Sequence, residues 1–208
     1  MPKLPVKEKN KHQLRTEETQ ARILDAAQAV FSEQGFEMTQ LEEVAARAGY
    51  TRGAIYAHYA GKEDLFLALM DQRVLTKFSG IRKVLEAEPT VAKRPEIFRR
   101  WMATQAADQR WGTLMLEFKL YSLRRPESRQ KLLHMYELMA KASGSDFIEL
   151  LFGANLDKAS RAAAERQLVI LGAILSAVNL ESHFRPNLLP KLQVEAVLNE
   201  LYEALIRR

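Results

Sequence analysis

Nine consecutive residues, Thr51-Arg52-Gly53-Ala54-Ile55-Tyr56-Ala57-His58-Tyr59, carry the side chains best suited to chemistry in this chain. That chemistry is hydrogen bonding rather than bond making. Thr51 can cap a short helix, and Ile55 can point inward while Arg52, Gly53, Ala54 and Tyr56 point outward. Gly53 and Ala54 are small enough to let a helix backbone sink into the major groove of a duplex. Arg52 suits the O6/N7 edge of guanine, and Ala54 a thymine methyl. Groups suited to phosphate surround them: the hydroxyls of Thr39 and Thr51 beside free backbone N–H groups at helix starts, the phenol of Tyr59, and Lys62 at the head of the following helix. His58 either joins this surface or braces it against that helix.

Other chemistries lack their residues. The chain of 208 residues has no cysteine, which removes disulfides, thiol nucleophiles and thiolate metal sites. His12, His58, His134 and His183 are scattered, without metal-ligand spacing. No glycine-rich phosphate loop and no nucleophile elbow occur, so an enzyme is not expected, nor a cofactor or metal. Residues Met1 to Lys7 lack the apolar run of a secretory signal. The longest uncharged apolar stretch lies between Arg166 and Glu181, short of the roughly 18 residues that suggest a membrane span. A soluble cytoplasmic protein is expected. The formal net charge of +5 is compatible with a polyanionic partner, and 47% hydrophobic residues supply a core.

The elements that must position these residues are helices, because apolar residues recur at helical spacing and nowhere alternate as in a strand. Residues 1–15 carry Lys3, Lys7, Lys9, Lys11 and Arg15 against Glu8 and read as a disordered basic arm. A helix then starts after Thr16, buries Ile23, Ala27, Val30 and Phe31, and stops at Gly35. Thr39 with Glu42 reads as a capping box opening a second helix that buries Leu41, Val44, Ala45 and Ala48 and ends at Gly49. The third runs from Thr51 to about His58, and a long fourth starts at Gly61-Lys62. Further helices hold Phe98 to Met102, Trp111 to Leu123, Pro126 past Leu151, Asp157 to about His183, and Pro190 almost to the end. Two short helices joined at a glycine turn make a helix-turn-helix. The expected fold is all-α, with an N-terminal helix-turn-helix domain over residues 16–61 and a helical domain over 62–208.

The residues Gly35-Phe36, Thr39, Leu41 to Ala45, Ala48 to Tyr56, His58-Tyr59, Lys62-Glu63 and Leu65 resemble the DNA-binding domain of the tetracycline-repressor (TetR) family. The Thr51–Tyr56 stretch is similar to that of its efflux-pump repressors. Tyr50 stands where the family often has valine, Gly61 where serine or asparagine often caps, and Ala57 where those repressors often have tryptophan. The resemblance implies a transcriptional repressor that binds palindromic operator DNA as a homodimer and is released by a small-molecule effector, apolar or amphipathic in character. The alternative is a helical small-molecule-binding or adaptor protein without operator binding.

For the ligand pocket that the resemblance implies, the candidate residues are Phe78, Trp101, Met102, Trp111, Met115, Glu117, Phe118, Tyr121 and Met139, since Met and aromatic side chains line adaptable apolar pockets; ordinary core packing is the other reading of each. Glu117, in an apolar helix, needs a partner: Arg124, Arg125 or a ligand's polar group. The run Leu168 to Val178 is apolar all round, so both sides of its helix are expected to be covered. With the final helix it supplies a candidate dimer interface of Leu168, Leu171, Gly172, Leu175, Ser176, Val194, Leu198 and Leu201.

Overall fold

The computed structural model describes residues 10–106, 108–142, 146–187, 196 and 200. Among them no strand occurs. The helices are α1 (Lys11–Met38), α2 (Leu41–Ala48), α3 (Arg52–Tyr56), α4 (Lys62–Ala87), α5 (Arg94–Ala106), α6 (Gln109–Leu123), α7 (Pro126–Ala142), α8 (Phe147–Phe152) and α9 (Lys158–Phe184), with a 3₁₀ turn at Val91–Lys93. The chain divides into two compact units after Met70, inside α4.

Helix α1 starts earlier than its apolar pattern indicates. Asn10 accepts from the Gln13 amide at 2.8 Å, and the Gln13 side chain accepts from the Asn10 amide at 3.0 Å. This reciprocal cap satisfies two amides that the first turn leaves open, so residues 11–15 are helical rather than part of an arm. Residues 1–9 lie outside the described residues. Gly35, at φ +79°, breaks α1 as expected, and a last turn follows it. The N-terminal unit closes around Phe31, Phe36 and Phe66, all fully buried. Phe66 meets the other two edge-on, each at a centroid distance of 5.1 Å.

In the C-terminal unit the helix expected from Pro126 past Leu151 is two helices, α7 and α8. Phe147 and Leu151 on α8 join Ile81, Leu85 and Phe98 in one buried cluster. Asp157 caps α9 by accepting from the Ser160 amide at 2.7 Å. α6 and α9 approach closely at Gly112, where a Cβ would stand 2.9 Å from the side chain of buried Asn179. By length and composition α9 could cross a bilayer, yet Ala164, Leu171 and Leu175 on it are buried within the unit.

Candidate nucleic-acid interface

The turn between α2 and α3 is fixed by one backbone conformation. Gly49 takes φ +75°, and its N–H reaches the carbonyls of Ala45 and Ala46. The Tyr50 amide follows onto the Ala45 carbonyl at 2.9 Å. A side chain at position 49 would be strained in this left-handed region and would press on Arg22. Tyr50 then packs back on α1: Arg22 lies over its ring at 5.3 Å, and its hydroxyl donates to Thr19 at 3.4 Å. Exposed pairs tie α2 to α1, with Arg47 on Glu33 at 2.7 Å and Gln34 donating to Glu43 at 2.7 Å.

Helix α3 spans five residues, two fewer than its sequence suggests, and is anchored by a single buried side chain, Ile55. The Thr51 hydroxyl accepts from the Ala54 amide at 3.3 Å, so Thr51 is its N-cap. Around Ile55, the residues Thr51, Arg52, Gly53 and Tyr56 are exposed, with Tyr56 at 45% of its surface, while Ala54 is half-buried. The Arg52 guanidinium lies over the Tyr56 ring at 5.2 Å and donates to its hydroxyl at 2.9 Å. It also forms an ion pair with Glu42 on α2. That hydrogen bond to Tyr56, and then the Glu42 charge, raise the pKa of Arg52.

Of the flanking residues, Thr39 differs from expectation. Thr39 is not the cap of α2: Gln40 holds that position without a side-chain bond. Thr39 is 2% exposed and donates to the Gly35 carbonyl at 2.7 Å, closing the break in α1. Helix α2 begins at Leu41, so Thr39 stands one residue before the cap position, and its hydroxyl bonds the carbonyl behind it instead. Tyr59 is only 8% exposed, and burial pushes its phenol pKa up, keeping it a neutral O–H donor. Lys62 is half-buried; its Nζ donates to the Glu37 carbonyl at 2.7 Å and lies 5.0 Å from the centre of the Phe36 ring. Burial lowers its pKa. His58 is half-buried, its ring 6.3 Å from that of Tyr59.

The spacing of types identified Arg52 but not its partners. Glu42 and the Glu37 carbonyl become neighbours only through the turn geometry, and nothing in their sequence separation from Arg52 or Lys62 marks them.

The candidate ligand residues fall into two groups. Phe78 and Trp101 stand 5.3 Å apart beside Phe98 and Phe147, with Met102 packed on the same cluster. On α6, Tyr121 stacks on fully buried Phe118 at 6.1 Å and carries Arg125 on its ring at 3.7 Å. Trp111 lies under the Arg73 guanidinium at 4.4 Å, and Arg73 is ion-paired with Asp108, the cap of α6. Met115 and Glu117 are half-buried on α6, and the side chain of Met139 lies outside the described ones. Among the described residues, no group of three histidines or carboxylates could hold a metal.

The candidate dimer residues on α9 need re-sorting. Leu171 and Leu175 are buried against Ala103 in their own unit, and Leu168 packs on the α8 cluster. The exposed apolar stripe is instead Val169, Ile170, Ala173, Ala177, Leu180 and Phe184, with Val169 and Phe184 each 74% exposed. Gly172 and Ser176 lie at the edge of this stripe, half-buried. Val194, Leu198 and Leu201 lie outside the described residues.

The model of the family "Bacterial regulatory proteins, tetR family" matches residues 23–69. The HTH-type transcriptional regulator AcrR of Shigella flexneri is 54% identical over 50 residues, which are 24% of this chain and 23% of that protein. Curated relatives such as this one are thus matched over about a quarter of their length. The structure of SmeT, the repressor of the Stenotrophomonas maltophilia multidrug efflux pump SmeDEF, is 26% identical, covers 91% of each chain and superimposes with a TM-score of 0.56. That of the transcriptional regulator FadR from Bacillus subtilis, in complex with stearoyl-CoA, is 20% identical, covers 89% of this chain and 97% of that one, and has a TM-score of 0.60. The all-α architecture, a helix-turn-helix followed by a helical C-terminal unit, is therefore a fold shared with these two structures.

Proposed function

We propose, from the premise that residues 23–69 are a DNA-binding domain of the tetR family, that this chain is a ligand-responsive transcription repressor. It binds palindromic operator DNA as a homodimer in the cytoplasm and lets go when a small apolar or amphipathic molecule occupies the C-terminal unit. The observation that carries the reading is the exposed edge of α3. A capped, five-residue helix leaves Arg52, Gly53 and Tyr56 exposed around its one buried anchor. A rigid helix edge with one arginine and little bulk fits a major groove, where arginine reads guanine. Thr51 and Lys62 supply donors for the flanking phosphates, joined by the Tyr59 phenol and, after local opening, the Thr39 hydroxyl.

The exposed α9 stripe supports the homodimer, since an apolar surface of this kind marks an interaction site. A second copy meeting it would present two recognition helices to successive major grooves, about 34–36 Å apart for adjacent half-sites. It also accounts for the apolar character of α9 without a membrane. The aromatic and Met-bearing helices α4 to α8 favour an apolar or amphipathic effector, and FadR of the same fold holds stearoyl-CoA. The effector acts only through its different affinities for the DNA-competent and released forms. No catalytic role is assigned to any residue.

The test is a fluorescence-anisotropy titration of the full chain with duplex DNA from upstream of its own gene. It is repeated over a salt series and against a panel of apolar and amphipathic molecules, with light scattering for mass. Salt-sensitive, sequence-selective binding by a dimer, weakened by at least one compound, is expected. A monomer without salt-sensitive affinity for any duplex refutes the proposal.

A further inference from the structure

The ion pair between Glu42 and Arg52 is exposed at both ends, with 54% and 56% of the respective side chains open to solvent. Such a pair contributes little to stability, and the helices it joins are already held by buried Leu41, Val44 and Ile55. Its place is otherwise a poor one for a carboxylate, because the same edge must face a polyanion. The geometry gives it a use. One terminal nitrogen of Arg52 faces Glu42, and the other donates to the Tyr56 hydroxyl at 2.9 Å, with the guanidinium 5.2 Å from the centre of the Tyr56 ring. An arginine on an exposed five-residue helix would otherwise sweep a wide arc and meet any phosphate within it. Held at both ends, the guanidinium has fewer orientations open to it, and an N–H left on each terminal nitrogen suits a guanine edge.

Resting on the DNA-binding reading above, we infer that Glu42 is a specificity-determining residue: it positions the Arg52 guanidinium for a base edge and withholds its charge from non-cognate phosphate. In a non-specific complex the pair must break before Arg52 reaches a phosphate, so that complex loses one favourable contact per protomer. In the cognate complex the pair persists. Glu42 thereby lowers binding to all DNA but lowers binding to the wrong DNA more.

The experiment uses the full-length chain and a random-sequence duplex library, so that no operator need be known. Wild type, Glu42→Gln and Glu43→Gln are each taken through selection and sequencing, and the affinity for a fixed non-selected duplex is measured against salt. Glu43→Gln is the charge-matched control on the same helix, its carboxylate facing Gln34 and Arg47 instead. For Glu42→Gln the preference at one base position should drop by at least about fivefold. Its non-specific affinity should rise, with a salt slope steeper by about 0.9 per protomer. Glu43→Gln should retain the wild-type base preference, and in an Arg52→Ala background Glu42→Gln should leave the base preference unchanged. Wild-type selectivity and slope in Glu42→Gln overturn the inference. So do equal effects in the two glutamine variants, which assign the result to net charge alone. If wild type itself enriches no sequence and binds no duplex, the DNA-binding reading falls, and this one with it.

Discussion

Replacing Lys62 by methionine keeps the apolar stem and removes one charge and three N–H donors, and so separates two tasks. The first is structural. The Lys62 ammonium donates to the Glu37 carbonyl at 2.7 Å and sits 5.0 Å from the centre of the Phe36 ring, tying the start of α4 to the end of α1. A hydrogen bond from a charged donor contributes about 1.5–3 kcal/mol and a cation–π contact of a partly solvated ammonium about 0.5–1. The burial that lowers the Lys62 pKa opposes both, since the ammonium gives up water to make them. A net loss of about 1–2 kcal/mol follows, a fall of several degrees in melting temperature for a small unit. The second task is electrostatic. Only part of the ammonium is engaged, and its remaining donors stand at the N-terminus of α4, where an anion is favoured. Loss of one phosphate contact per protomer makes the slope of log affinity against log salt shallower by about 0.9, or about 1.8 for a dimer. Over a fourfold rise in salt the advantage of the dimeric wild type over the variant then shrinks about 12-fold. Anisotropy titrations across that range, with thermal unfolding of the same samples, read both quantities. An unchanged salt slope in a folded variant refutes the phosphate role. An unchanged melting temperature refutes the tether.

Three further perturbations test the scaffold. Thr51→Ala removes the cap of a helix with one buried anchor and should cost about 1 kcal/mol, with weakened DNA binding; Thr51→Ser should restore most of both in denaturation and anisotropy measurements. Gly112→Ala sets a methyl 2.9 Å from buried Asn179 and should destabilise the C-terminal unit by about 1–3 kcal/mol, and adding Asn179→Ala should recover part of the loss; equal melting of wild type and Gly112→Ala would disprove the close packing of α6 on α9. Asp157 has its pKa lowered by accepting from the Ser160 amide, so its contribution is full above the ordinary carboxylate value of 3.8 and is lost as pH falls through the lower folded value. Asp157→Asn caps without titrating, so its stability difference from wild type should shift between about pH 5 and pH 2 in paired chemical denaturation series, and parallel curves would contradict the capping charge.

Sequence alone determined the features that depend on neighbours along the chain. Gly49 announces a left-handed turn because other residues are strained there, and Thr51 and Asp157 announce caps because their oxygens reach amides three residues ahead. Ile55 stands out as the apolar residue of a polar, small-residue helix, and it is the one that is buried. The cap Asn10–Gln13 was also written in the sequence, but the apolar pattern beginning later drew the boundary past it. Thr39 shows where local reading stops: its type and spacing from Glu42 fit a cap, yet the break at Gly35 offers its hydroxyl a carbonyl instead. Tertiary structure alone decided which face of α9 is covered. A helix apolar all round carries no moment to orient it, so burial of Leu171 and Leu175 beside Ala103, and exposure of Val169 and Phe184, follow from where α5 and α6 lie. The same holds for Glu42 and Arg52, ten positions apart with a turn between them. Hydrogen-bonding partners within a helical turn are fixed by 3.6-residue geometry, but partners across a turn are fixed only by how the two helices cross.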